Sequence, residues 1–426
     1  TTEDGTGIVH IAPSFGSDDN LVAKKNGIGS LTLVNKQGRF VDEVVDFAGL
    51  YVKNEFYEKG EKKPKLSVDI QIIIKLKEKS LCFKSEKHEH SYPHCWRTDK
   101  PILYYPMDSW FIKTSKYKER MIELNNTINW KPKSTGEGRF NKWLENLADW
   151  NLSRSRFWGI PIPVWRSEDG KSEICIGSIE ELKKEIEKSI SAGLMKTNPL
   201  SKFKINDFST KNYTSFDLHR PNVDDIVLIS EEGKPMKREL DLIDVWFDSG
   251  SMPYAQLHYP FENKEVFEKN YPADFIAEGV DQTRGWFFTL HAISTILFDS
   301  IAYKNVISNG LVLDKNGHKM SKRLGNATNP FKTIEKYGAD ATRWYMIVNA
   351  QPWDNLKFNT DGIQEVQRKF FGTLYNTYSF FVLYANIDEF CYSEKEIAIK
   401  NRSKIDRWII SELNTLIDRV EENYEK

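Results

Sequence analysis

Apolar and polar positions change their spacing several times along the chain, and each change marks a different kind of element. From residue 1 to about 110, short apolar runs such as Ile70 to Leu76 are broken up by Gly and Pro, which predicts a small strand-rich module. The Lys- and Glu-crowded stretch from Lys53 to Lys65 reads as a solvated surface hairpin. From Lys113 to Leu152 the spacing turns helical, and Trp130, Phe140, Trp143, Leu144 and Leu147 form an apolar stripe suited to core packing. Glu180 to Lys188 predicts a charged helix, and the polar region from Thr197 to Lys211 an insertion on the surface.

After Asp241 the texture changes again. Asp274 to Glu278 predicts a strand, Asp281 to Phe298 a helix, and Asn305 to Leu313 a second strand. That order is a βαβ unit, which requires a parallel sheet and a right-handed crossover. Ligands of such sheets sit beyond the carboxyl ends of the strands. Ala339 to Val348, Gly362 to Tyr384 and Ser403 to Tyr424 then predict helices, with Phe370, Leu374, Phe381, Trp408, Ile409, Leu413 and Leu416 recurring at three and four residues. The segments expected are 1–110, 111–240, 241–350 and 351–426.

Composition narrows this picture only a little. With 426 residues the chain has room for two or three domains, and 40% hydrophobic and 28% charged residues place it among ordinary globular proteins. Sixty basic side chains against 61 acidic ones leave a net charge of -1, so contact with nucleic acid has to come from local patches. Cys82, Cys95, Cys175 and Cys391 form no CxxC pair, which argues for a reducing compartment. No apolar run reaches the roughly 18 residues a membrane span needs, so the expectation is a soluble, cytoplasmic protein with an organelle not excluded. The opening, Thr1 followed by Gly5-Thr6-Gly7-Ile8-Val9-His10, reads as the interior of a domain, so a fragment lacking its N-terminal part is expected.

Two stretches carry candidate chemistry. In Gly317-His318-Lys319-Met320-Ser321-Lys322-Arg323-Leu324-Gly325-Asn326, two lysines bracket a serine on a loop after an apolar strand. Fixed positive charge on a flexible stem is suited to follow the charge that develops on a triphosphate. Glu278-Gly279-Val280-Asp281-Gln282-Thr283-Arg284-Gly285-Trp286-Phe287 runs from a strand end into a helix. If that helix begins near Gly279, Glu278, Gln282 and Trp286 share one face at the sheet crevice, where an acidic pair can accept hydrogen bonds from ribose hydroxyls. Taken alone, the lysine loop reads as a solvated turn, and the second stretch as an Asp281 cap with a core Trp286.

Together these stretches resemble the class I aminoacyl-tRNA synthetases, and within them the isoleucyl branch. Lys319-Met320-Ser321-Lys322-Arg323 resembles the family's second ATP motif, with Arg323 in place of the more usual final Ser. Ser153-Arg154-Ser155-Arg156 with Trp158-Gly159-Ile160-Pro161-Ile162-Pro163 resembles the return from the editing insertion, and Asp244-Val245-Trp246-Phe247-Asp248-Ser249-Gly250 resembles a run lining the amino-acid pocket. The resemblance implies an α/β fold: the second half of a Rossmann-like parallel-sheet catalytic domain, preceded by part of a β-rich editing insertion and followed by the start of an α-helical anticodon-binding domain. It implies Lys319, Ser321 and Lys322 as catalytic residues. Glu278, Asp281, Gln282, His318 and Lys322 would contact ATP or the adenylate, and Trp246 and Trp286 would wall the isoleucine side chain.

An apolar pocket separates isoleucine from valine poorly because they differ by one methylene; this is a known property of the branch, and it implies a second, hydrolytic site. Gly5 to Pro13 with Gly16-Ser17-Asp18-Asp19 resembles the end of that editing domain, with His10 positioning the tRNA terminus and Asp19 holding the ammonium of mischarged valine. The implied cofactors are ATP and Mg²⁺, and the implied partners are tRNA(Ile), isoleucine and ATP, with a monomer expected. The family's first ATP motif and its threonine-rich editing strand are absent, so the chain alone is expected to be inactive. Tyr92-Pro93-His94-Cys95-Trp96-Arg97-Thr98 resembles a segment that carries CxxC in some relatives, but Thr98 stands at the second position and no zinc is expected. Rival readings are the valyl and leucyl enzymes, a non-catalytic tRNA-binding relative, and a dinucleotide-dependent oxidoreductase. The last requires a Gly-rich phosphate turn, and none is visible.

Overall fold

The computed structural model describes residues 5–95, 97–321 and 324–425. The chain divides into two compact units, Thr1–Trp110 and Phe111–Lys426. In the first unit, the run Ile70 to Leu76 corrects the sequence expectation, because it lies inside a helix, Val68–Glu78. Local signals outweigh the β-preference of its isoleucines. The Ser67 hydroxyl accepts from the Ile70 amide, Asp69 sits in the first turn, and Lys75 and Lys77 sit in the last, so both ends suit the helix dipole. Bridges outside regular strands join Val34 to Phe40, Arg39 to Tyr51 and His94 to Pro101 in this unit. The charged stretch after Lys53 opens with a 3-10 turn, Asn54–Phe56, rather than a hairpin.

The second unit is organised by three parallel strands in the order Ala273–Gly279, Tyr303–Asn309, Asn129–Lys131. The helix Trp286–Phe298 crosses between the first two, giving the expected βαβ unit. Its side chains from Phe287 to Thr295 are all buried, and it packs with Met121, Phe140, Leu144, Tyr303 and Val306 into one core. The third strand was hidden in the sequence: Trp130, assigned above to a helical stripe, is the centre of Asn129–Lys131, opposite Val306. Its indole donates to the Asn125 side chain at 2.9 Å and meets Phe287 edge to face. Three residues are too few to show a period of two, and the helix Lys118–Asn125 next to them supplies the helical spacing.

Between the segments that carry the site lies a small module with its own core. Four antiparallel strands, in the order Glu173–Cys175, Val164–Ser167, Pro235–Arg238, Val227–Ile229, stand beside the helix Ile179–Ser191. Trp165, Ile186, Leu228 and Met236 fill that core together with Leu200 and Phe203, so the polar stretch after Thr197 plugs the module instead of lying wholly on its surface. Fully buried Arg238 pairs with Asp224 and donates to the carbonyls of Ile162 and Asp241, which ties the module to the strands that enter and leave it.

Beyond the sheet, Pro330–Tyr337, Ala339–Asn349 and Thr360–Val366 share a core of Tyr337, Ala341, Tyr345 and Ile363. The expected helix continues from Thr360–Val366 through a wider π-helical turn, Gln367–Phe371, into Gly372–Ile387, and Lys404–Glu425 follows. Among the described residues no helix is long and apolar enough to cross a membrane.

Candidate functional site

The site begins where the helix Val245–Ala255 starts. Asp244, 3% exposed, caps it, accepting from the Trp246 amide at 3.3 Å with one oxygen. Its other oxygen accepts from the Trp150 indole at 3.0 Å and the Arg154 guanidinium at 2.7 Å. A capped, doubly anchored first turn leaves the Trp246 backbone little freedom. One turn on, the Ser249 carbonyl accepts from the Trp286 indole at 2.9 Å. Trp246 and Trp286 therefore come from two helices joined at this point.

Gly285 sits between them. A Cβ there would fall 2.6 Å from the Gln282 side-chain oxygen and 3.2 Å from the outer edge of the Trp246 indole, so a side chain at this position would have to push both aside. The local backbone corrects the expected helix from Asp281. Val280–Arg284 is a 3-10 turn, Gly285 breaks it, and the helix begins at Trp286. The shared helical face of Glu278, Gln282 and Trp286 does not form. Instead the Gln282 side-chain oxygen Oε1 accepts from the Trp286 backbone amide at 3.0 Å, while its Nε2 donates to the Asp281 carboxylate at 2.9 Å.

Glu278 lies at the carboxyl end of its strand, paired in register with Ser308. The Ser308 hydroxyl is buried and has no hydrogen-bond partner among the described residues. A second such atom is Oδ1 of Asp248, whose carboxyl is pushed above its ordinary value by burial and then by Asp244. Asp248 stands inside a run that the sequence analysis quoted, yet its burial is not readable from spacing. Trp286 also lines a largely apolar cavity of about 390 Å³ with Met252, Leu257, Phe267, Phe275 and Tyr303. Trp246 is not among its lining residues, so the two tryptophans do not enclose that cavity jointly.

The lysine loop follows a short strand, Val312–Leu313, which pairs in parallel with Leu356–Lys357. The chain turns at Gly317, whose φ of +87° favours glycine, and returns so that Lys319 bridges Leu313. Asp314 holds this turn. One of its oxygens accepts from the amides of Asn316 at 2.9 Å and His318 at 2.8 Å, and the other accepts from the Asn326 side chain at 3.0 Å. The Asn326 hydrogen bond, followed by that from the His318 amide, draws the Asp314 carboxyl below its ordinary range. His318 and Lys319 are exposed, and Ser321 is half-buried. Lys322 and Arg323 lie outside the described residues.

In the first unit, His10 is exposed and Asp19 stands in the first turn of the helix Ser17–Lys25, where one oxygen accepts from the Ala12 amide at 2.8 Å. The histidines near Cys95 turn toward backbone: Nδ1 of His90 meets the Ser91 carbonyl at 3.1 Å, and Nδ1 of His94 the Tyr92 carbonyl at 2.8 Å. Hydrogen bonds from Thr98 bring the Cys95 thiol down to about 7. Among the described residues no group of three His, Cys, Asp or Glu side chains is placed to hold a metal ion.

Residues 54–359 match the family model described as tRNA synthetases class I (I, L, M and V). The isoleucine–tRNA ligase of Cytophaga hutchinsonii is 65% identical over 100% of this chain and 39% of its own length. The isoleucine–tRNA ligases of Bacteroides fragilis and Clostridium novyi are 62% and 48% identical, over 100% and 99% of this chain and 40% and 37% of theirs. The chain thus spans about 40% of the length of such relatives. Methionyl-tRNA synthetase of Mycobacterium tuberculosis, solved with methionyl-adenylate, superposes with a TM-score of 0.50 at 15% identity, covering 78% of this chain and 51% of that one. At that identity the match speaks for the fold.

Proposed function

The chain belongs to the class I tRNA synthetases, and on that premise we propose that it is the part of an isoleucine–tRNA ligase that encloses the isoleucine side chain and steadies ATP during activation. The observation that carries this proposal is the meeting of Trp246 and Trp286 through Ser249 and Gly285 at the carboxyl end of the parallel strand. A branched aliphatic side chain offers no hydrogen bonds, so it is selected by rigid apolar walls, and two indoles supply large area with little rotamer freedom.

In the proposed reaction, an oxygen of the isoleucine carboxylate forms a bond to the α-phosphorus of ATP as the bond to pyrophosphate breaks. A terminal ribose hydroxyl of tRNA(Ile) then attacks the activated carbonyl, and AMP leaves. Such chemistry rests on positioning and on stabilising charge. Glu278 and Asp281 accept from ribose hydroxyls. Gln282, whose side chain is already committed to Trp286 and Asp281, orients the turn that presents them. His318, Lys319, Ser321 and Lys322 meet the phosphates from the loop. Mg²⁺ would accompany ATP as its counter-ion.

His10 and Asp19 belong to the proposed hydrolysis of mischarged valine, with Asp19 offering the ammonium its other carboxylate oxygen. The helices after residue 360 belong to a domain that contacts the tRNA anticodon stem. A cytoplasmic monomer completes the proposal. Its test is isoleucine-dependent exchange of pyrophosphate into ATP by the complete enzyme. Exchange that depends on isoleucine more than on valine or leucine supports it, and equal exchange with valine or leucine contradicts it.

A further inference from the structure

Among the described residues, one side chain that no part of the proposed chemistry uses joins the two limbs of the lysine loop. Asn326 spends both ends of its amide. Its oxygen accepts from the Ser321 amide at 2.8 Å, and its nitrogen donates to the Lys319 carbonyl at 3.2 Å and to Asp314 at 3.0 Å. These three bonds join the outgoing limb of the loop to its incoming limb and to the hairpin below. Asp314 in turn fixes the hairpin through the amides of Asn316 and His318. A side-chain amide offers two N–H donors and a carbonyl acceptor together, so Asp, Ser and Ala each lose part of this set.

We propose that Asn326 is a positioning residue for activation, bracing against Asp314 the loop that carries Lys319 toward the nucleotide phosphates. This rests on the reading of the lysine loop as the phosphate-facing element given above. The brace fixes where Lys319 leaves the loop without touching substrate. Its loss is felt in the rate of activation, where charge placement matters most, and little in the affinity for isoleucine.

The test is isoleucine-dependent pyrophosphate exchange in the complete ligase carrying Asn326→Ala, Asn326→Asp, Asp314→Asn, the double change Asn326→Asp with Asp314→Asn, and Lys319→Ala. Asn326→Ala is expected to lower kcat about 10-fold or more, with the isoleucine KM within about twofold of the parent. Asn326→Asp sets two carboxylates against each other and is expected to cost more. The double change restores a carboxylate–amide pair with the roles exchanged and should recover most of the rate lost by Asn326→Asp, which a merely structural role for Asn326 does not produce. Full rate in Asn326→Ala alongside a slow Lys319→Ala overturns the brace and leaves the loop reading intact. Full rate in both overturns both. If Asn326→Ala does not fold, the comparison of Asn326→Asp with the double change decides, and absence of recovery overturns the brace.

Discussion

Trp246 and Trp286 stand on two helices that meet at the Ser249 carbonyl, whereas the lysine loop stands on a short hairpin closed by the half-buried Asn326 amide. Asp244 anchors the first helix with three hydrogen bonds, and the second lies with nine consecutive residues buried. Among the described residues the loop is tied down by Asp314 and Asn326 and by Met320, which packs against the core around Tyr345 and Ile363. The difference fits the two tasks proposed above. Selecting an aliphatic side chain needs walls that do not give, and following charge from ATP to pyrophosphate needs cations that move. A loop is the low-stability element suited to that motion.

The largest effect that separates the two regions is expected from the lysines. Lys322→Ala or Lys319→Ala in the complete enzyme should lower kcat for pyrophosphate exchange about 100-fold, the scale on which lost charge stabilisation is felt. Isoleucine affinity should be nearly unchanged, and an unaltered exchange rate would remove the phosphate role.

A pH effect confined to the rigid region comes next. His291, on the helix that carries Trp286, is fully buried, and burial pushes its pKa down to about 4 from 6.5 despite a hydrogen bond to the Met121 carbonyl. Above 6.5 both folded and unfolded chains hold it neutral. As pH falls from 6.5 toward 4 only the unfolded chain takes up the proton, so stability is lost across that window by up to about 3 kcal/mol. Chemical denaturation at pH 7 and at pH 4.5 measures this. The drop should be smaller in His291→Gln, and an equal drop in the variant would show that other groups set it.

Trp286→Ala removes one wall and the bond to Ser249. The isoleucine KM should rise about 10-fold or more, from lost apolar burial on the order of 2 kcal/mol, and unchanged affinity would sink the pocket assignment. Gly285→Ala is the mildest change. Its methyl group presses on Gln282 and Trp246, so a rise of about fivefold in KM is expected, on the order of 1 kcal/mol for a tight contact.

The parallel βαβ unit was legible because its strands are contiguous runs and its helix is long and apolar. Its third strand was not, since Trp130 sits in a strand of three residues, Asn129–Lys131, whose partners, Asn305 to Ile307, are far along the chain. Ile70 to Leu76 misled for the opposite reason: isoleucines favour strands, but Ser67, Asp69, Lys75 and Lys77 specify a helix. In the site, the residue types of Trp246, Trp286 and Lys319 were readable from their motifs. What holds them was not, because the Gly285 break and the Asn326 brace depend on which atoms folding brings within hydrogen-bond reach. The sequence pattern offered the candidate residues, and tertiary contact decides how they are held.

The division of labour between walls and loop is tested most directly by kcat and isoleucine KM for pyrophosphate exchange, measured side by side in Trp286→Ala and Lys319→Ala of the complete enzyme. The expected result is a raised KM with kcat largely kept in the first and a lowered kcat with KM kept in the second. Both variants altering the same parameter would contradict the assignment of the two regions to selection and to phosphate charge.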